Sequence, residues 1–380
     1  MRKKEKTQGL RTWIEIDTKA IAHNYRVFRK LIGKKTRLMG VVKSNAYGHS
    51  LVQFSRELES LGVDYLGVDS IVEALRLREE KITLPILVLG YTLPEMMGEA
   101  ALHDIAITIS SFSQLREAMH LKTKKHLRVH IKVDTGMHRQ GFQLGDSTRL
   151  LSQLGHRMSK LKVEGLYTHF AEAKNPRSGD HTRRQIKEFH EWIKAFHQAG
   201  IDPILHAAAS GGAMLYPDAH FGMVRIGIGL YGLWPSREAE HYLSKKITLK
   251  PILSWKAVVS EVKEVKKGER IGYDFTEILR RESKIAIIPI GYWHGFPRLL
   301  SSKGRVLLHG KTARVLGRVS MDMIIVDVTD LPHVKEGDIA TLIGRDGKEA
   351  IVQRELANFS GTTHYEITTR LNPLMKKFYT

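Results

Sequence analysis

From Thr12 to about Leu243 the sequence alternates short apolar runs with amphipathic stretches. The extended candidates are Thr12–Ile16, Leu38–Val42, Tyr65–Val68, Ile86–Leu89, Ile105–Ile109, Val129–Val133, Val163–Tyr167, Ile204–Ala207 and Val224–Ile226. Several are apolar at nearly every position, as a strand covered on both faces must be. Helical patterns lie between them. Ile21, Tyr25, Phe28 and Leu31 recur at spacings of four and three, which puts them on one helix face. Ser70 with Glu73, and Ser111 with Gln114, have the capping-box spacing of two helix starts. Repeated strand–helix units imply parallel pairing with right-handed crossovers. Eight or so units in roughly 240 residues suit an α/β fold of the TIM type, a (β/α)8 barrel, whose usual size is about 250 residues.

Beyond about Lys246 the rhythm changes. Trp255–Val265, Lys284–Ile290, Arg305–Leu308, Thr312–Leu316, Met323–Val328 and Ile339–Ile343 read as strands, many separated by glycine, and helical periodicity returns only at Val352–Asn358. The expected division is a barrel over residues 1–245 and a smaller, mostly β domain over 246–380.

Composition narrows the function classes. No run of about 18 apolar residues occurs, so no membrane span is expected. The basic start, Met1 to Leu10, lacks the apolar stretch of a secretory signal. Absence of cysteine removes disulfides, thiolate metal sites and cysteine nucleophiles together. A cytoplasmic enzyme is expected. The net charge of +20 is spread along the chain without interleaved aromatics, which reads as a solvated basic surface rather than a specific nucleic-acid site.

Functional groups of such a barrel sit at the C-terminal ends of its strands. Val41-Val42-Lys43-Ser44-Asn45-Ala46-Tyr47-Gly48-His49 fits that position: an apolar strand ends, a lysine follows, then a polar turn. A lysine leaving the core there is partly desolvated and usable as an amine nucleophile, although a plain surface lysine has the same local look. Residues 227–232 satisfy Gly-x-Gly-x-x-Gly, yet Leu233-Trp234-Pro235 follows where a dinucleotide fold needs a helix, so that reading is rejected. His190, Glu191 and His197 lack the His-Glu-x-x-His spacing, and no histidine set has metal-ligand spacing with carboxylate partners; no metal is expected.

The Lys43 segment resembles the cofactor-lysine motif of the alanine racemase family, pyridoxal-phosphate enzymes of fold type III, and the resemblance runs from Trp13 to about Phe378. It implies a pyridoxal 5'-phosphate barrel followed by a β domain, in a homodimer whose active sites borrow groups from the partner's second domain. Lys43 would carry the cofactor. The segment His130 to Arg139 resembles the stretch that sets an arginine beside the cofactor's phenolic oxygen and the substrate carboxylate, a role falling to Arg139. Lys132 matches a lysine that relatives often carry as a carbamate. His169 matches a histidine that hydrogen-bonds the catalytic tyrosine. Arg225 matches the arginine at the pyridine nitrogen, where a permanently charged donor disfavours ring protonation and makes a weaker electron sink. The phosphate would be held by the N–H groups of Gly227 and Ile228, with Ser210, Tyr47 and Tyr365.

In the second domain, Lys267 to Tyr273 resembles the segment bearing the family's second base, which would be Tyr273 of the partner, helped by a cationic neighbour such as His169 or an arginine. Tyr292 would line the substrate entrance, and the Met321 N–H would hold the substrate carboxylate. Ala209, Trp293-His294, Ser44 and Ser50 depart from the family's usual residues; the Trp293-His294 pair is expected to alter both volume and charge at the entrance. The implied activity is interconversion of L- and D-alanine, supplying D-alanine for peptidoglycan. The alternatives are a serine or broad-specificity racemase and a non-catalytic pyridoxal-phosphate carrier, whose shorter chains lack the β domain.

Overall fold

The computed structural model describes residues 7–156, 161–177 and 179–380. The chain divides into two compact units, one formed by Lys19–Ala46 with Leu51–Pro251, the other by Met1–Thr18, Tyr47–Ser50 and Ile252–Thr380.

In the first unit, strands β2 (Arg37–Val41), β3 (Tyr65–Val68), β4 (Ile86–Val88), β5 (Ile105–Ile109), β6 (Leu127–Lys132), β7 (Leu161–Tyr167), β8 (Ile204–Ala209) and β9 (Met223–Ile226) close into a parallel barrel, β9 pairing back onto β2. Helices α1 (Thr18–Ile32), α2 (Leu51–Leu61), α3 (Ile71–Glu79), α4 (Met97–Leu102), α5 (Phe112–His120), α6 (Ser147–His156), α7 (Gly179–Gln198) and α8 (Ser210–Leu215) follow in the alternating order, and α9 (Arg237–Leu243) comes after the last barrel strand. The (β/α)8 expectation holds.

The buried face of α1 is set by Ile21, Asn24, Phe28 and Ile32, with Tyr25 and Leu31 at its margins. Asn24 is tolerated inside because its amide donates to Leu230 O and Lys250 O, at 3.2 and 2.8 Å, and accepts from Lys250 N at 2.9 Å. Ser70 and Ser111 cap α3 and α5, each accepting from the N–H three residues on. The reciprocal half of the expected capping box is redirected. Glu73 bonds Asp69 N and Asn45 N, both at 2.9 Å, instead of the cap residue.

The strand β1 (Thr12–Ile16), read from sequence alongside the barrel strands, belongs to the second unit. It pairs antiparallel with β10 (Leu253–Val258) and parallel with β20 (Lys376–Tyr379). The remaining strands are β11 (Glu261–Val265), β12 (Arg270–Ile271), β13 (Glu277–Ile278), β14 (Ser283–Ile288), β15 (Arg305–Leu308), β16 (Lys311–Leu316), β17 (Ile324–Asp327), β18 (Ile339–Asp346) and β19 (Glu349–Ile351). They build a ten-stranded sheet in the order β11-β14-β17-β16-β15-β18-β10-β1-β20, with β19 on β18 and a separate β12–β13 pair. The single strand expected over Trp255–Val265 is two, broken at Val259–Ser260. Two helices, α10 (Gln353–Phe359) and α11 (His364–Thr369), complete the unit. Among the described residues no helix is long and apolar enough to cross a membrane.

Candidate functional site

Lys43 leaves the C-terminal end of β2, as expected. Its Nζ donates to Asp69 Oδ1 at 3.0 Å, and Asp69 is the first residue beyond β3. After Lys43 the backbone makes a left-handed turn: φ is 56° at Ser44, 55° at Asn45, 52° at Ala46 and 52° at Tyr47. Only asparagine among these tolerates that region readily, so the surroundings must impose it. Glu73 takes Asn45 N, and Asn45 Oδ1 takes Leu51 N at 2.8 Å, which ties both ends of the turn.

Lys132 ends β6 and is buried, its Nζ donating to Gln140 Oε1 at 3.2 Å. Burial, then the charges of Arg139, Arg225 and Lys43, bring its ammonium down to about 8. Arg139 lies exposed on the loop that follows. Asp134 Oδ1 shapes this loop by accepting from the N–H groups of Gly136, Met137 and His138 at 2.9–3.0 Å.

Arg225 on β9 is buried inside the barrel. Its Nη2 donates to Thr168 O (2.7 Å) and Ala207 O (2.8 Å) and lies 3.1 Å from His169 Nδ1, while Nη1 lies 2.9 Å from His206 Nδ1. Burial lowers the guanidinium only to about 10, so it stays cationic at neutral pH. His169 behaves otherwise. Burial, reinforced by Arg225, Arg139, Lys132 and Lys43, pushes its imidazole down to about 3. The cationic role expected for His169 is therefore corrected: it is a neutral histidine whose Nδ1 accepts from Arg225, which leaves its proton on Nε2.

Ser210 opens α8, and its Oγ accepts from Gly227 N at 3.1 Å and Gly229 N at 3.2 Å. The hydroxyl thus takes two backbone N–H groups of the glycine turn, donors of the kind that bind anions. No helix follows Gly232 until α9, in keeping with rejection of the dinucleotide motif.

Ile228 is buried just beyond β9, and the other predicted residues lie in the second unit. Tyr47 and Tyr365 have ring centroids 6.2 Å apart, and burial raises the Tyr365 phenol to about 12. Gly48 (φ +85°) lets this segment press against α11, since a Cβ there would fall 2.0 Å from Thr368 O. Tyr273 sits in the β12–β13 connection and is 68% exposed, Met321 is 53% exposed and Tyr292 44% exposed. The segments of the last two are stitched together by Tyr292 N to Ser320 O (3.1 Å) and Trp293 N to Met321 O (3.0 Å). His294 turns inward and accepts from Gly291 N at 3.2 Å, with burial lowering its imidazole, while Trp293 stays exposed.

Sequence reasoning missed Asp69, Glu73 and Gln140. Asp69 had a usable signal, being the first polar residue after an apolar barrel strand; Glu73 was marked only as a capping-box partner, and nothing local marked its bond to Asn45 or that of Gln140 to Lys132.

The lysine amine, the obligate donor Arg225 and the Ser210–Gly227 turn suit a ligand with an aldehyde, a ring nitrogen and a phosphate. Comparison with known proteins gives the family. Residues 16–235 match the family model "Alanine racemase, N-terminal domain" and residues 252–379 match "Alanine racemase, C-terminal domain". The alanine racemase of Methanococcus maripaludis is 40% identical over 370 residues, covering 97% of this chain and 98% of that protein. That of Symbiobacterium thermophilum is 39% identical, covering 98% of each. The crystal structure of alanine racemase from Bacillus anthracis with bound L-Ala-P superposes with a TM-score of 0.89 at 36% identity, over 95% of this chain and 92% of that one. The match of the β unit removes the carrier-protein alternative, whose members lack such a domain. With both halves matched along nearly their whole length, the chain belongs to the alanine racemase family of amino-acid isomerases.

Proposed function

We propose that this chain binds pyridoxal 5'-phosphate and interconverts L- and D-alanine by a two-base mechanism, supplying D-alanine for peptidoglycan from the cytoplasm. The observation that carries the reading is the convergence on one barrel of Lys43, neutral His169 and a buried, still cationic Arg225. Pyridoxal phosphate, when bound, supplies an electron sink that acidifies the substrate Cα–H bond. Lys43 would be its attachment point, and Ser210, Gly227 and Ile228 would hold its phosphate. Arg225 would donate to the ring nitrogen without protonating it.

Inversion at carbon needs a proton removed from one face and another delivered to the opposite face. Lys43 serves one face. Tyr273 of a second copy serves the other; the exposure of Tyr273, Tyr292 and Met321 in the single chain supports a homodimer in which they meet another subunit's site. The His169 Nε2–H would donate to the Tyr273 oxygen. Arg139 and the Met321 N–H orient the substrate carboxylate. A carbamate on Lys132 turns a like-charge neighbour of Arg139 into an anionic one.

A serine or broader substrate range is the second reading, raised by the changed residue Trp293, which is exposed beside Tyr292. Rates on L-alanine, L-serine and L-lysine separate the two. Solvent deuterium exchange at Cα tests the mechanism: Tyr273→Phe exchanges the proton of one alanine enantiomer only and loses racemisation. Racemisation by Tyr273→Phe at the wild-type rate, or a wild-type chain inert towards alanine, overturns the proposal.

A further inference from the structure

A line of polar side chains crosses the barrel interior, and the reaction as described gives most of it no task. It begins at Arg225, whose Nη1 is 2.9 Å from His206 Nδ1 on β8. The ring nitrogens His206 Nε2 and His130 Nδ1, the latter on β6, are 2.9 Å apart. His130 Nε2 then lies 3.5 Å from Tyr65 Oη and 3.7 Å from Glu164 Oε2. Tyr65 donates its hydroxyl to Glu164 Oε2 at 3.1 Å, and Arg128 clamps that carboxylate through Nε (2.8 Å) and Nη2 (2.7 Å). Both histidines are fully buried. Tyr65, Arg128 and Glu164 come from the first four residues of β3, β6 and β7, whereas Lys43 and Lys132 stand at or just past strand ends. The line therefore runs from the catalytic mouth of the barrel towards the opposite one.

Donor–acceptor arithmetic gives it a direction. A guanidinium only donates, so His206 Nδ1 must accept and a neutral His206 carries its proton on Nε2. That proton points at His130 Nδ1, which accepts in turn and leaves the His130 proton on Nε2, facing Tyr65 and Glu164. Burial holds both imidazoles below the ordinary histidine range. Against burial, the His130 imidazole 3.7 Å away and hydrogen bonds from Arg128 hold the Glu164 carboxyl well below the usual carboxylate range. Every link thus points its proton towards one anion. Among the described residues no carboxylate is paired directly with Arg225, so this chain is its route to a counter-charge.

The backbone is shaped for the arrangement. Strand register shifts between Val129 and His130 in the β6–β7 pairing, and between His206 and Ala209 in the β8–β9 pairing. Such irregularities re-aim neighbouring side chains. Beside Glu164, a Cβ on Gly165 would fall 2.0 Å from His130 Nδ1, so only glycine leaves the ring where His206 can reach it.

We propose that Glu164 and His130, acting through His206, are positioning residues for Arg225: the anchored carboxylate polarises a one-way hydrogen-bond chain that holds the guanidinium fork in register with the cofactor's ring nitrogen. The proposal rests on the racemase reading for the cofactor, while the chain's direction can be measured independently of activity.

Neutron diffraction from deuterated crystals of the cofactor-loaded protein reads the direction: deuterium on Nε2 and none on Nδ1 at both His206 and His130. Deuterium on Nδ1 of either ring, or on both nitrogens, overturns it. Glu164→Gln and His130→Phe then read the consequence. Each is expected to lower kcat by roughly tenfold to a hundredfold, as loss of an orienting partner behind a contacting group does. KM for alanine stays within about twofold, and the visible absorption band of the bound cofactor shifts. Wild-type kcat and an unshifted band in both variants overturn the positioning role. A wild-type chain without racemase activity overturns the racemase reading instead, and the neutron result stands apart from it.

Discussion

Lys43 Nζ and Asp69 Oδ1 are 3.0 Å apart, bridging the ends of adjacent barrel strands β2 and β3. Their side chains are 38% and 54% exposed, so water screens the pair and it adds little to stability. On the proposed function its effect falls on the lysine itself, whose amine would have to leave the carboxylate before bonding to an aldehyde.

Asp69→Asn should change unfolding stability by less than about 0.5 kcal/mol. It should also speed attachment of added pyridoxal phosphate to the cofactor-free chain, followed by stopped-flow absorbance. Attachment at the wild-type rate would show that the ion pair does not hold the amine back.

The left-handed turn after Lys43 makes a prediction at Ser44, which is exposed at φ 56°. Ser44→Val forces a β-branched side chain into that region and should cost about 1–2 kcal/mol, whereas Ser44→Gly should be neutral or stabilising. Urea unfolding of the two variants checks the difference. Equal stabilities would mean that the turn relaxes without cost.

Lys132 links stability to pH. Its folded value, about 8, lies below the ordinary lysine value of 10.5, so between those limits the unfolded chain binds more protons and stability rises with pH. Below about 8 the full penalty of the buried ammonium is present. Lys132→Met should therefore stabilise the cofactor-free chain at pH 7, by at most about 3 kcal/mol, in carbon-dioxide-free buffer. The gain should shrink steadily as pH rises towards 10.5. The same lowered value leaves wild-type Lys132 partly unprotonated in mild alkali, and labelled bicarbonate should then give a carbamate carbon resonance that Lys132→Met lacks.

Shared active sites can be tested by complementation. Lys43→Ala and Tyr273→Phe should each fail to racemise alanine. After mixing and subunit exchange, one site of each mixed dimer pairs an intact Lys43 with an intact Tyr273, and activity should return. No recovery, with exchange confirmed by native mass spectrometry, would place both residues in sites served by a single chain.

Much of this site could be read from local sequence because its first members sit at strand ends. Lys43 follows an apolar run that a barrel must bury, so its place at one mouth follows from the alternation, whereas Lys132 and His169 were singled out through resemblance although they too close or follow a strand. Arg225 was assigned through resemblance, and nothing in Met223–Ile226 itself marks the arginine as buried. The charge of His169 was misjudged because it depends on burial and on four cations supplied by other segments. The inward turn of His294 likewise depends on a bond to Gly291 that spacing does not reveal.

Periodicity by itself determined a barrel of eight or so strand–helix units, the β-rich second part and a lysine at a strand end, because burial of apolar runs is a local demand written residue by residue. Tertiary structure decided which sheet receives Thr12–Ile16, since an alternating strand fits any edge that offers matching partners. It also decided the left-handed turn at Ser44–Tyr47, which runs against the intrinsic preference of three of its four residues and exists only because Glu73 and Asn45 hold its ends. The direction of the Arg225–His206–His130 line belongs there too, because a proton's position on an imidazole is set by the partner it meets, and those partners are 19 and 76 residues away along the chain.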